Sequence, residues 1–170
     1  MKITLKDGIV KEFDQAVSVL DIAKSISEGL ARNACAGIVD GEVQDLRYVV
    51  NQDATVSICT FEEEAGKMAF RHTTSHILAQ AVKRLYPEVK LAIGPAIADG
   101  FYYDFDKEKA FTPEELEAIE AEMKKIVKED LPIERFELPR EEAIQYMKER
   151  EEPYKVELIQ DLPEDAIISF

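Results

Sequence analysis

The chain has 170 residues, 46% of them hydrophobic, and a formal net charge of −14, which bounds it to one ample globular domain or two small ones. That acidity argues against a generic nucleic-acid-coating protein, which is normally basic. The excess sits in residues 111–170, with 18 acidic and 8 basic side chains against 9 and 6 in residues 1–60 and 8 and 7 in residues 61–110, so a polyanion should meet the first two thirds.

The first sixty residues read as a self-contained module. Met1 to Leu5 alternates as a strand, Asp7-Gly8 is a two-residue hairpin signal, and Ile9 to Phe13 returns. Ser18 is placed to cap a helix whose third residue is Asp21 and whose apolar stripe is Val19, Leu20, Ala23 and Ile26, with Gly29 placed to stop it. Ala34 to Val39 is a third strand and Asp40-Gly41 a second hairpin turn. Leu46 and the Tyr48 to Val50 run are short strands, and Thr55 to Thr60 closes the set. Hairpin, helix, hairpin and closing strand is the order of a ubiquitin-like β-grasp.

Phe61 to Gly66, a charge run ended by glycine, is the expected joint, dividing the chain into 1–61 and 62–170. A long helix follows, with Phe70, Ile77, Leu78, Ala81 and Leu85 at helical spacing and an end before Pro87. Lys90 to Ile93 and Phe101 to Phe105 read as strands, separated by turns at Gly94-Pro95 and Asp99-Gly100. Thr112-Pro113-Glu114-Glu115 is a capped helix start whose stripe is Leu116, Ile119, Met123, Ile126 and Val127. Ile133 to Leu138 is a strand, Pro139 to Arg150 a helix, and Tyr154 to Gln160 a short element. The fold class is α+β. The chain ends on the strand-like Ile167-Ile168-Ser169-Phe170, which reads as a truncation, since termini are usually solvated and frayed.

Cys35 and Cys59 lie far apart and are no disulfide framework. No secretory segment opens the chain and no apolar run approaches a membrane span, so no membrane association is expected and the compartment is expected to be cytoplasmic.

His72 and His76 are the only histidines. Four residues apart on a helix, they share one face, a geometry suited to a metal, a hydrolytic water or a polar substrate. A metal needs at least a third protein ligand, and the HExxH pattern is absent because residue 73 is Thr. No metal site is therefore expected within the chain. The bland alternative is that the pair consists of partly buried polar residues holding neighbouring loops. Strand alternation places Phe101, Tyr103 and Phe105 on one face and Tyr102 and Asp104 on the other, while Gly94-Pro95 allows close backbone approach. Lys67, Arg71, Lys83, Arg84 and Lys90 form a candidate basic patch, or else a solvated helix face.

His72-Thr73-Thr74-Ser75-His76-Ile77-Leu78-Ala79-Gln80-Ala81, followed by Gly94-Pro95 and Gly100-Phe101-Tyr102-Tyr103-Asp104, resembles the start of the editing domain of the threonyl-tRNA synthetases. Residues 1–60 resemble that family's N-terminal TGS domain. The resemblance covers essentially the whole chain. It implies a region that hydrolyses serine wrongly attached to threonine tRNA. A missing methylene is worth only about 1–3 kcal/mol in a pocket, so binding alone rejects serine poorly. It assigns catalytic roles to His72, His76 and Lys155, and substrate-lining roles to Gly94, Pro95, Tyr103 and Asp104. An imidazole positions or activates the water, and a lysine holds a phosphate or the developing charge. The partner implied is threonine tRNA through its 3′ end.

The family also uses a Cys-x-x-x-His segment with an Asp just before it, which this chain does not contain. The ATP-using aminoacylation core, with its Mg and zinc, is likewise expected to lie outside it. The resemblance thus implies a homodimeric full-length ligase, and an isolated 170-residue piece that is monomeric, holds only part of the editing pocket and edits inefficiently. Two rival readings are a non-catalytic TGS-containing adaptor and a free-standing metal-dependent hydrolase.

Overall fold

Asp40 and Gly41 take φ of 50° and 91°, the paired left-handed conformation that a two-residue hairpin needs to match strand twist. They join β4 (Ala36–Val39) to β5 (Glu42–Gln44), with Val39 opposite Glu42. The computed structural model describes residues 1–170 and divides into two compact units, Met1–Thr73 and Thr74–Phe170.

In the first unit β4 and β5 join β1 (Lys2–Leu5), β2 (Val10–Glu12) and β7 (Ala54–Cys59) in a sheet of order β2-β1-β7-β4-β5. The β1–β7 pair is parallel and the others antiparallel. Helix α1 (Val19–Ile26) packs on one face, and Ile3, Val19, Ile22 and Val56 form one closed core. This is the expected β-grasp. Ser18 caps α1 by accepting from the Asp21 amide. Val17–Ser18 (β3) and Val49–Val50 (β6) make a small separate ladder.

Gly29 does not stop α1. Ser27 ends it by donating its amide to the Ala23 carbonyl, and its hydroxyl accepts from the Leu30 amide to start α2 (Glu28–Asn33), in which Gly29 sits. Leu46 forms no strand, because the Asp45 carboxylate accepts from both the amide and the guanidinium of Arg47 and closes a turn there. The expected joint is already helical at its end, since α3 runs Glu64–Leu85. Glu63 accepts from the Thr60 amide and hydroxyl, and Gly66 lies so close to β7 that a β-carbon there would sit 1.8 Å from the Thr60 carbonyl oxygen. Phe70 meets Phe61 edge-on at 5.3 Å. The first turns of α3 therefore belong to the first unit.

The second unit begins within α3. Its buried residues there are Ser75, Ala79, Ala81 and Val82, whereas Phe70 and Leu85 from the expected stripe are exposed. Short strands follow: β8 (Lys90–Leu91), β9 (Ala96–Ile97), β10 (Gly100–Phe101) and β11 (Phe105–Asp106), paired β8–β11 and β9–β10. Helix α4 (Pro113–Glu129) opens on a full capping box between Thr112 and Glu115. Only Ile119 and Ile126 of its stripe are buried, and Leu116 and Val127 are exposed. Helices α5 (Arg140–Glu149) and α6 (Pro153–Asp161) pack through a second small core of Ala143, Met147, Ile159 and Ile168.

Ile133 to Leu138 is not the expected strand. Only its end finds a partner: Phe136 and Phe170 exchange backbone hydrogen bonds, and the Leu138 amide donates to the Ile168 carbonyl. Ile133 is left exposed, with no strand pairing before Phe136. The strand-like final residues are thus satisfied by this short antiparallel ladder.

Candidate functional site

Helix α3 carries His72 and His76 at exposed positions on successive turns. The segment after it is zipped by backbone bonds beyond its short strands. The Ala92 amide donates to the Asp104 carbonyl at 3.0 Å, and the Asp104 amide to the Ile93 carbonyl at 2.8 Å. The expected alternation holds: Phe101, Tyr103 and Phe105 are half-buried while Tyr102 and Asp104 are exposed. Asp104 therefore contributes backbone to the ladder and presents its carboxylate to solvent.

The close approach expected at Gly94 is real, but its occupant is internal. A β-carbon there would lie 2.1 Å from the Tyr103 ring. Tyr103 stacks on Phe105 at 4.8 Å. Pro95 is exposed beside it. Lys155, on α6, reaches this same corner. Its amine donates to the Ala92 carbonyl at 2.8 Å and lies 5.8 Å from the centre of the Tyr103 ring. Burial pushes the Lys155 amine below its ordinary range, and the Glu152 charge opposes that. Burial likewise pushes the Tyr103 hydroxyl up, reinforced by Glu152. Gly94, Tyr103 and Lys155 are thus brought together. A protonated Lys155 has three donors, of which one is spent on Ala92, so it can hold a phosphate oxygen or a developing oxyanion.

Glu152 escaped the sequence reading, and Lys83 figured there only as part of the candidate basic patch. Glu152 is 6% exposed. It forms an ion pair with the Lys83 amine at 2.9 Å and accepts from the Leu91 amide at 3.1 Å. Lys83 also donates to the carbonyls of Pro87 and Val89. The partners lie about as far apart in sequence as Leu91 and Glu152, 61 residues, and no local pattern announces them. Lys83 is therefore committed internally, and not to a surface patch. Arg84 is likewise held by Glu122 and Glu129, which push its guanidinium further up. Arg71 lies 5.9 Å from the Phe61 ring centre. The candidate basic patch is depleted accordingly.

An open pocket of about 390 Å³ lies on α5, lined by Leu138, Glu141, Glu142, Gln145, Tyr146 and Glu149. Its three carboxylates carry the wrong sign for a nucleic-acid backbone, and it contains none of the expected site residues. No three His, Cys, Asp or Glu side chains converge as a metal-ligand set, so the residues present do not fit a zinc site of their own. No helix is long and apolar enough to cross a membrane.

Comparison with known proteins extends this reading. The TGS domain profile matches residues 1–60. A threonine–tRNA ligase of Acetivibrio thermocellus is 65% identical over all 170 residues of this chain, which cover 27% of the ligase. One from Clostridium botulinum strain Eklund 17B is 66% identical over the whole chain and 26% of its own length, and one from Clostridioides difficile 63% over the whole chain and 27%. The chain spans about a quarter of the length of these relatives. Its first 60 residues are a TGS domain, and throughout its length it is homologous to the N-terminal region of the threonine–tRNA ligases.

Proposed function

We propose that this chain is the N-terminal part of a cytoplasmic threonine–tRNA ligase, and that its residues 62–170 contribute to hydrolysing serine mischarged onto threonine tRNA. The observation that carries the editing reading is the half-buried Lys155 amine, anchored on Ala92 beside Tyr103 and Gly94. Attachment of threonine with ATP, and the Mg and zinc the family resemblance implies for it, are assigned to residues outside 1–170, as is dimerisation.

In editing, water adds to the ester carbonyl and the bond to the tRNA ribose oxygen breaks, releasing serine and free tRNA. His72 and His76 position the water and accept its proton. Lys155 donates to the charge that develops on oxygen, in a setting where partial burial strengthens that contact. Tyr103, Gly94, Pro95 and Asp104 line the substrate side, and Tyr103 fixes the backbone at Gly94 by filling the space beside it.

The test is deacylation of serine-charged threonine tRNA, with threonine-charged tRNA as control. The protein is used alone and extended past Phe170 to the length of its relatives. The extended protein should cleave the serine ester and spare the threonine ester. His72→Ala, His76→Ala and Lys155→Ala should each slow it by about 100-fold, and the 170-residue chain should be slow. An extended protein that treats both esters alike sinks the reading.

A further inference from the structure

The geometry points to Lys83 and Glu152 as positioning residues for Lys155. This assignment rests on the editing reading for its consequence, although its structural content stands alone. Glu152 is the residue just before α6, three positions ahead of Lys155. The Glu152 carbonyl starts that helix by accepting from the amides of Lys155 and Val156. Its carboxylate, turned the other way, accepts from the Leu91 amide. The residue after Leu91 is Ala92, whose carbonyl takes the Lys155 amine.

These bonds close a ring: Lys155 amine to Ala92, one peptide to Leu91, Leu91 amide to Glu152, and one helical turn back to Lys155. Glu152 thereby holds both the helix that carries the amine and the backbone on which the amine rests. Lys83 completes the arrangement by occupying the second carboxylate oxygen and tying it to Pro87 and Val89. Without Lys83 the carboxylate would be a buried charge with a single amide partner, free to turn away from Leu91. Glu152 is also the ionisable group that acts on both Lys155 and Tyr103. Of the other elements packed on α6, α5 meets it through the apolar Ala143 and Met147 and through Arg140, whose guanidinium donates to the Ile159 carbonyl, β8 brings Lys90, and Asp106 of β11 accepts from the Tyr154 hydroxyl.

The test has a spectroscopic arm and a kinetic arm. The 170-residue chain carrying 13Cε-labelled lysine is titrated as wild type, as Glu152→Gln, and as Lys83→Met with Glu152→Gln. Glutamine keeps an acceptor for Leu91 while removing the charge, and the double variant removes both charges if the single one fails to fold. The Lys155 resonance should change position, and its titration midpoint should fall below that of wild type in either variant. A folded variant in which both stay put overturns the proposal.

In the extended protein, Glu152→Gln should lower kcat for serine-ester cleavage about tenfold or more with KM within about twofold. Wild-type activity that Lys155→Ala abolishes and Glu152→Gln leaves intact also overturns it, with the editing reading standing. If the wild type cleaves no serine ester, the editing reading falls, and the Lys155 resonance still decides whether Glu152 positions that amine.

Discussion

The two units are held together by different means. In the first, a five-stranded sheet and one helix share a single core around Ile3, Val19, Ile22 and Val56. In the second, strands of two residues and four stretches of helix surround two small cores, one under α4 and one between α5 and α6. Long-range polar bonds from Glu152 and Lys155 do the tying that the sheet does in the first unit. One unit is built from repeated apolar alternation and the other around an ion pair of which only the carboxylate is buried. A sheet spreads its free energy over many equivalent contacts, whereas a charge network concentrates it in a few residues.

That contrast can be broken by experiment. Ile22→Ala removes a fully buried side chain from the single core and should cost about 3–4 kcal/mol. Hydrogen exchange should then speed up across β1, β4 and β7 together, and a loss confined to α1 would show that the core is not shared. Lys83→Met leaves Glu152 buried without its cation. It should cost about 2–3 kcal/mol in the second unit, less than for a fully buried pair because Lys83 is 27% exposed. Adding Glu152→Gln should recover most of that loss in urea denaturation. A single variant as stable as wild type would mean that the network is dispensable.

Thr112→Ala deletes the capping box of α4 and should lower stability by about 1 kcal/mol, read from the denaturation midpoint of the second unit.

The smallest expected effect is a pH dependence at the start of α3. Bonds from the Thr60 amide and hydroxyl hold the Glu63 carboxyl below its usual 4.5. A carboxyl with a lowered folded value binds fewer protons folded than unfolded, so its stabilisation is complete above 4.5 and lost as the pH falls through the folded value. Exchange protection of the first α3 turn should drop over that acid range in the wild type and stay flat in Glu63→Gln.

Where local chemistry decides the structure, the sequence was readable. Asp40-Gly41, Ser18 with Asp21, and Thr112 with Glu115 each specify their turn or cap within four residues. The alternation of Phe101, Tyr103 and Phe105 correctly gave their buried face. The misreadings came where a second residue competed. Ser27 ended α1 ahead of Gly29, Asp45 closed a turn where Leu46 looked like strand, and Ile133 had an apolar pattern but no partner strand to pair with. In the candidate site, Tyr103 and Lys155 were named from the resemblance, and the structure joins them at Ala92 and Gly94. Glu152 was invisible because Glu151-Glu152-Pro153 reads as polar surface, and its partners are supplied by chain folding alone.

The contact between Gly94 and Tyr103 has an evolutionary consequence. Because a β-carbon at 94 would overlap the ring at 103, the two positions are not free to drift separately. A residue with a β-carbon at 94 would require the ring at 103 to shift or be replaced. Across related sequences glycine at one position should therefore travel with the ring at the other.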